Sequence, residues 1–345
     1  MSLKKIYLTV DTECHSIDLQ NKYIWGNIKG EPYGLERILI LGKEFNIPIN
    51  FFVDIAECKR YGVDFVRSIC ELITKYGQTV YIHLHPNYIS GDDSRTFLWQ
   101  YSKEEQKQII DETLIYFKQL FPEGNLPAFR AGRYGVDNNL YDVLFEAYGG
   151  NILDLSYCCH SHKMCHVSTE DIRTENKIKE YRGCMIFPNT RYIGYNFAGK
   201  KHYFNIDTAE TTLGEFKSLL KQNRLENITL TMHSWNFIKS FYFLPGKIWP
   251  HNGHLKKFKA MIRFAQQNGY EFGDICRDFT VPEKDMDQVV DLCSSARGKI
   301  KSLYYNFIRF QDTARLSSKY FRFYALIYCI FSAVIVIFVM LLLML

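Results

Sequence analysis

The chain has 345 residues, enough for one large α/β domain or two small ones, and 47% hydrophobic with 23% charged residues describes a globular protein. Its net charge of +5 sits in the tail, where Arg297, Lys299, Lys301, Arg309, Arg315, Lys319 and Arg322 face only Asp312, a sum of +6 that leaves −1 for the residues before it. A near-neutral body lacks the basic footprint of a nucleic-acid-binding protein, so nucleic acid is not expected as a partner.

In chain order, KKIYLTVDTE reads as a strand rich in β-branched and aromatic residues that ends in acids. The N-terminal stretch MSLKKIYLTVDTEC holds only a short apolar run followed by acids and does not read as a signal peptide. GLERILILGKEFNIPINFFVDI predicts a helix with apolar positions at Leu35, Ile38, Leu39 and Leu41, a turn through Asn46 to Pro48, and the strand INFFV. FVRSICELITKYG predicts a second helix stopped at Gly77, followed by the strand TVYIHLH. YSKEEQKQIIDETLIYFKQLF gives a third helix, with Ser102 and Glu105 spaced as a capping box. LPAFRAGRYG, a helix around DNNLYDVLFEAYGG, the short segment ILDLSY, the strand ENITLTMHSW, a helix closed by Gly269 and a last short strand complete the series. Residues 157–212 are less regular and read as an insertion or long loop region.

Strands alternating with helices predict βαβ units and a parallel sheet, whose strands' C-terminal edge is where active sites sit. Residues 1–284 are expected to form this domain, and 285–322 a basic, aromatic-interleaved neck suited to an anionic membrane surface. Residues 323–345, FYALIYCIFSAVIVIFVMLLLML, carry no charge and would span about 34 Å as a helix, the length of a transmembrane anchor. The basic residues before it place the body on the cytoplasmic side by the positive-inside rule, in agreement with ten cysteines in no disulfide-framework spacing.

Asp11 and Glu13 lie two apart at the end of the first strand and point to one face, as do His83 and His85 on another. Two histidines and a carboxylate make a facial set suited to Zn²⁺, Fe²⁺, Co²⁺ or Ni²⁺, with positions open for water and substrate. His233 in LTMHSW is the natural acid partner, since imidazole titrates nearest neutral pH. Arg130 and Arg133 in FRAGRYG could clamp a carboxylate or orient a catalytic aspartate. A further cluster, Cys158, Cys159, His160, His162, Cys165 and His166, is a candidate structural zinc site, although its spacing is not a paired C-x₂-C pattern.

The order TVDTE, INFFV, YIHLHP, FRAGRYG, LDLSY and LTMHSW resembles the successive motifs of the NodB-homology polysaccharide deacetylases, carbohydrate esterase family 4 and its relatives, across roughly residues 5–280. The resemblance implies a distorted (β/α)7 barrel and a metal-dependent amide hydrolase, here joined to the transmembrane anchor. It implies Asp11 as general base, Glu13, His83 and His85 as metal ligands, and Arg130 as the residue orienting Asp11. His233 would protonate the leaving amine. Substrate would be bound by Arg133, Tyr134, Asp154, Ser234 and Trp235, with Asp154 holding an arginine and Trp235 walling an acyl pocket.

The family's usual adjacent aspartates and histidines four apart are replaced by Asp-Thr-Glu and a histidine pair two apart, with Asn87 four after His83. That spacing is similar to a divergent subgroup with HxHP, found among lipopolysaccharide and O-antigen gene clusters. It leaves open which of Asp11 and Glu13 is base, and whether His85 is a ligand. The metal implied is zinc first, with cobalt, nickel or iron as alternatives. The substrate implied is an N-acylated sugar, nucleotide- or lipid-linked, in surface polysaccharide or lipopolysaccharide assembly. Competing readings are a deformylase on a lipid-linked amino sugar, an amidohydrolase, and an inactive sugar-binding pseudoenzyme tethered to the membrane.

Overall fold

The computed structural model describes residues 4–124, 128–150, 152–157, 164–167, 176–197, 199–240, 246–279, 289–316 and 330–332. Nine strands form the main sheet: β1 (Lys4–Thr12), β2 (Asn50–Asp54), β3 (Thr79–Leu84), β4 (Ala128–Ala131), β5 (Leu153–Asp154), β6 (Lys179–Tyr181), β7 (Cys184–Ile186), β8 (Asn227–His233) and β9 (Tyr270–Phe272). Their path is β8-β1-β2-β3-β4-β5-β7-β6, with β9 also on β1. Every neighbouring pair is parallel except β6 and β7, which form an antiparallel hairpin at the far edge.

The helices between strands carry apolar stripes toward the sheet. In α1 (Leu35–Phe45), Leu35, Ile38, Leu39 and Leu41 are all buried, as the sequence spacing predicts. Asn46 then ends the helix in the left-handed region, φ 49°, which asparagine tolerates better than most residues. Helices α2 (Val63–Lys75), α3 (Lys103–Leu120), α4 (Asn138–Tyr148), α5 (Leu213–Gln222) and α6 (Asn252–Gln267) follow. The Ser102–Glu105 box opens α3: Ser102 Oγ accepts the Glu105 N–H at 3.2 Å, and the Glu105 carboxylate accepts the Ser102 N–H at 2.8 Å.

The sheet curls around a small inner core of Tyr7, Phe52, Tyr81, Ala128, Leu153 and Phe187, while a larger outer core packs it against the helices. Between β8 and the chain leaving β7, closure uses side chains. The Thr190 N–H donates to Thr229 Oγ1 at 2.6 Å, and the Thr229 N–H to Thr190 Oγ1 at 2.9 Å. At the N-terminal end, Asn50 is a plug: its amide donates to the carbonyls of Leu8 and Gly273 and accepts the Ile275 N–H. An α/β fold with a mixed, largely parallel sheet of this shape fits the barrel expected from the motifs.

Two expectations need correction. The stretch 157–212 is not simply a loop: β6 and β7 belong to the main sheet, and Arg191–Phe197 pairs antiparallel with Lys200–Asn205. Their short lengths, at most seven residues, left little periodicity to read. The transmembrane helix is also not upheld, since no helix among the described residues is long and apolar enough to cross a membrane. Apart from 330–332, the expected span 323–345 lies outside the described residues. Within the expected neck, α7 (Ala296–Leu316) docks on the domain: Arg309 donates to Glu215 Oε1 at 2.6 Å and to the Tyr192 hydroxyl at 3.1 Å, and covers the Phe204 ring.

Candidate metal centre and cleft

The parallel register sets chemistry-bearing residues side by side at the C-terminal rim. Asp11 pairs with His233 across β1 and β8, Asp54 with His83 across β2 and β3, and His83 with Arg130 across β3 and β4. Because strand side chains alternate, Thr9, Asp11 and Glu13 face inward together, as do Tyr81, His83 and His85. All five titratable members of these two rows are at least nine-tenths buried.

Glu13, His83 and His85 each offer a ligand atom, all within 4.8 Å of one another. His85 Nε2 lies 2.5 Å and His83 Nε2 3.6 Å from Glu13 Oε2. Even so, no aligned hydrogen bond satisfies that buried oxygen. The His83 Nδ1–H donates to the Arg130 carbonyl at 3.0 Å, which orients the ring and turns Nε2 toward the glutamate. Bonds of about 2.1 Å to a tetrahedral ion would set the donors roughly 3.4 Å apart, so a small contraction of the trio makes a site. The donor set and the unsatisfied Oε2 therefore fit a divalent transition metal.

Electrostatics point the same way. Burial alone would raise the Glu13 carboxyl, but His85 and His83 outweigh it and hold it well below the usual range. Burial likewise opposes charge on His83, yet Asp11 and Glu13 push its pKa up to about 9. A group of groups that favours a proton between acid and imidazole also favours a cation in its place.

Asp11 stands apart from this trio. Arg130, fully buried, donates Nη1–H to Asp11 Oδ1 at 2.5 Å and Nη2–H to Thr9 Oγ1 at 2.9 Å, with the guanidinium over the Phe52 ring. Burial raises Asp11, but Arg130, with His83 and His233 nearby, pulls it below its ordinary value. On the neighbouring strand, His233 Nε2 comes 4.0 Å from Glu13 Oε1 and its ring packs on Trp235 at 4.6 Å.

These side chains line a cleft of about 150 Å³ with His15, Ala131, Arg133 and Tyr134. That is below the about 300 Å³ of a pocket enclosing a whole small ligand, and suits an acyl group and the bond to be cut. Of the expected substrate residues, Arg133 and Tyr134 line the cleft. Trp235 does not line the cleft itself; its ring packs behind the lining residue His15 and against Tyr23, at ring separations of 5.3 and 5.2 Å. Ser234 faces away and donates Oγ–H to the Tyr23 carbonyl at 2.6 Å, tying the loop after β1 to the HSW segment. Among the described residues no arginine pairs with Asp154. It points to the helix side, accepting from the Tyr141 hydroxyl at 3.0 Å and from the Ser156 N–H at 3.1 Å, because its register opposite Phe129 puts it on the outer face.

The sequence reading missed His15, which continues the inward row of Asp11 and Glu13 and whose Nε2 lies 3.6 Å from Glu13 Oε1. It also missed Asp54, whose Oδ1 accepts the backbone N–H of His85 at 3.3 Å and whose carboxyl burial pushes up to about 6. Of the Cys/His cluster, residues 158–162 lie outside the described residues; Cys165 is buried and His166 stacks on Trp99 at 4.0 Å.

No protein-family model matches the chain, nor does any curated protein. Similar solved structures include a putative polysaccharide deacetylase from Mycobacterium smegmatis, 14% identical, covering 92% of each chain at a TM-score of 0.45. A family 4 carbohydrate esterase pseudoenzyme from Bacillus anthracis is 13% identical over 84% of this chain and 69% of its own, TM-score 0.44. A family 4 carbohydrate esterase from Streptomyces lividans, in complex with acetate, is 12% identical over 84% of this chain and 100% of its own, TM-score 0.42.

Proposed function

We propose that the cleft hydrolyses the N-acyl group of an amino sugar with the help of a divalent transition metal held by Glu13, His83 and His85. The observation that carries this is the convergence of these three buried donors on one point, with Glu13 Oε2 left without an aligned hydrogen bond. A divalent ion bound there would polarise a carbonyl oxygen and lower the pKa of a coordinated water.

The chain's own groups divide the remaining work. Asp11 sits outside the donor trio with Oδ1 fixed by Arg130, which suits a base whose free oxygen takes a proton from water at the cleft floor. Its geometry favours this role over Glu13, which is enclosed by the histidines. His233, half-buried on the strand next to Asp11's and with Nε2 4.0 Å from Glu13 Oε1, would give a proton to the departing amine nitrogen. His15, backed by the rings of Trp235 and Tyr23, offers a flat surface to an acyl methyl or sugar face.

The test is acetate release from N-acetylglucosamine, its 1-phosphate and chitooligosaccharides by protein loaded with Zn²⁺ or Co²⁺. Release that disappears in Asp11→Asn and His233→Ala supports the assignment. No release from any of these substrates by any metal-loaded preparation contradicts it.

A further inference from the structure

The loop after β4, Gly132-Arg133-Tyr134-Gly135, holds two consecutive non-glycine residues in the left-handed region, Arg133 at φ 56° and Tyr134 at φ 55°. Such a backbone is costly for a residue with a β-carbon and persists only where its surroundings leave no alternative. Both ends of the loop are pinned by rings. A β-carbon on Gly132 would meet the His85 ring at 2.7 Å, and one on Gly135 would meet Phe97 at 2.8 Å. The loop is thus held tight between the candidate metal centre and the Phe97 segment, with Arg133 at its apex on the cleft wall.

Arg133 is exposed, and among the described residues no carboxylate pairs with it. The two carboxylates inside the cleft are already engaged, Asp11 by Arg130 and Glu13 by the histidines. A cation in the donor trio would leave the cleft with net positive charge, to which Arg133 adds. The guanidinium's planar fork matches the oxygens of a phosphate.

We infer that Arg133 selects a phosphate-bearing substrate: an N-acylated amino sugar whose phosphate, as in a sugar 1-phosphate or its nucleotide or lipid ester, meets the Arg133 guanidinium at the cleft mouth. This rests on the reading of the cleft as a sugar site, and it gives a use to backbone strain held at an arginine that pairs with no carboxylate among the described residues. A neutral polymer would have no use for that charge.

The experiment compares calorimetric dissociation constants for N-acetylglucosamine and N-acetylglucosamine 1-phosphate in wild type, Arg133→Asn and Arg133→Lys. Asparagine removes the charge while tolerating the left-handed backbone, and lysine keeps the charge without the fork. Wild type should prefer the phosphate, a preference that shrinks about tenfold in Arg133→Asn, less in Arg133→Lys, and with added salt. Equal binding of the two ligands by wild type, or a preference unchanged in Arg133→Asn, overturns the inference. Acetate release is scored separately. A phosphate preference that depends on Arg133 without hydrolysis supports this inference while counting against the proposed reaction.

Discussion

Arg130 and Asp11, 119 residues apart in sequence, form a buried ion pair at 2.5 Å beneath the cleft, and the same guanidinium is fixed by Thr9 and the Phe52 ring. The arginine is the largest fully buried side chain among the described residues. Its charge is tolerated there because Asp11 and the ring compensate its loss of water.

Replacing Arg130 by methionine leaves Asp11 buried without its partner. Such a break costs about 3–5 kcal/mol, which urea denaturation would register as a lower midpoint with unchanged slope. Arg130→Lys keeps the charge but not the fork that spans Asp11 and Thr9, and should fall between the two. A methionine variant as stable as wild type would mean that the pair contributes nothing.

Gly132→Ala puts a methyl group 2.7 Å from the His85 ring, in space the ring fills. The ring must move, and His85 is one of the three donors. We expect metal affinity to fall by tenfold or more, measured by competition with a chelating dye, while the far-UV dichroism is retained. Unchanged affinity would remove His85 from the donor set.

Asp154 makes a pH prediction. Burial, opposed by the bonds from Ser156 and Tyr141, raises its carboxyl from 3.8 to about 6. A group whose pKa is raised on folding contributes stability below its unfolded value and loses it as pH climbs through the folded value. The stability of wild type relative to Asp154→Asn should therefore decline between about pH 4 and pH 7, by roughly 3 kcal/mol at most. A gap that widens with rising pH would reverse the assigned sign. Ser156 Oγ accepts the Ala131 N–H at 2.7 Å, so this buried group also steadies the strand that carries Arg130.

Much of the site was legible because strand alternation is local. Asp11 with Glu13, and His83 with His85, had to share faces once their segments were strands, and β1 and β3 are long enough to be read as such. His15 followed from the same row but lies past the strand's end. Asp54 closes an apolar strand and shows its role only through the neighbouring strand's His85. Asp154 failed for a different reason: β5 has two residues, and which face each takes is set by pairing with β4, a non-local fact. The apolar segment 323–345 was read from composition, and no helix among the described residues meets the length and hydropathy that a membrane crossing requires.

The most direct test of the central claim is metal content. The full chain, loaded with Zn²⁺ and freed of excess ion, should retain about one equivalent by mass spectrometry. Glu13→Gln and His83→Ala should each abolish retention, while Arg133→Asn keeps it. Protein that takes up no transition metal under any loading condition, or that holds it equally well without Glu13 and His83, contradicts the account.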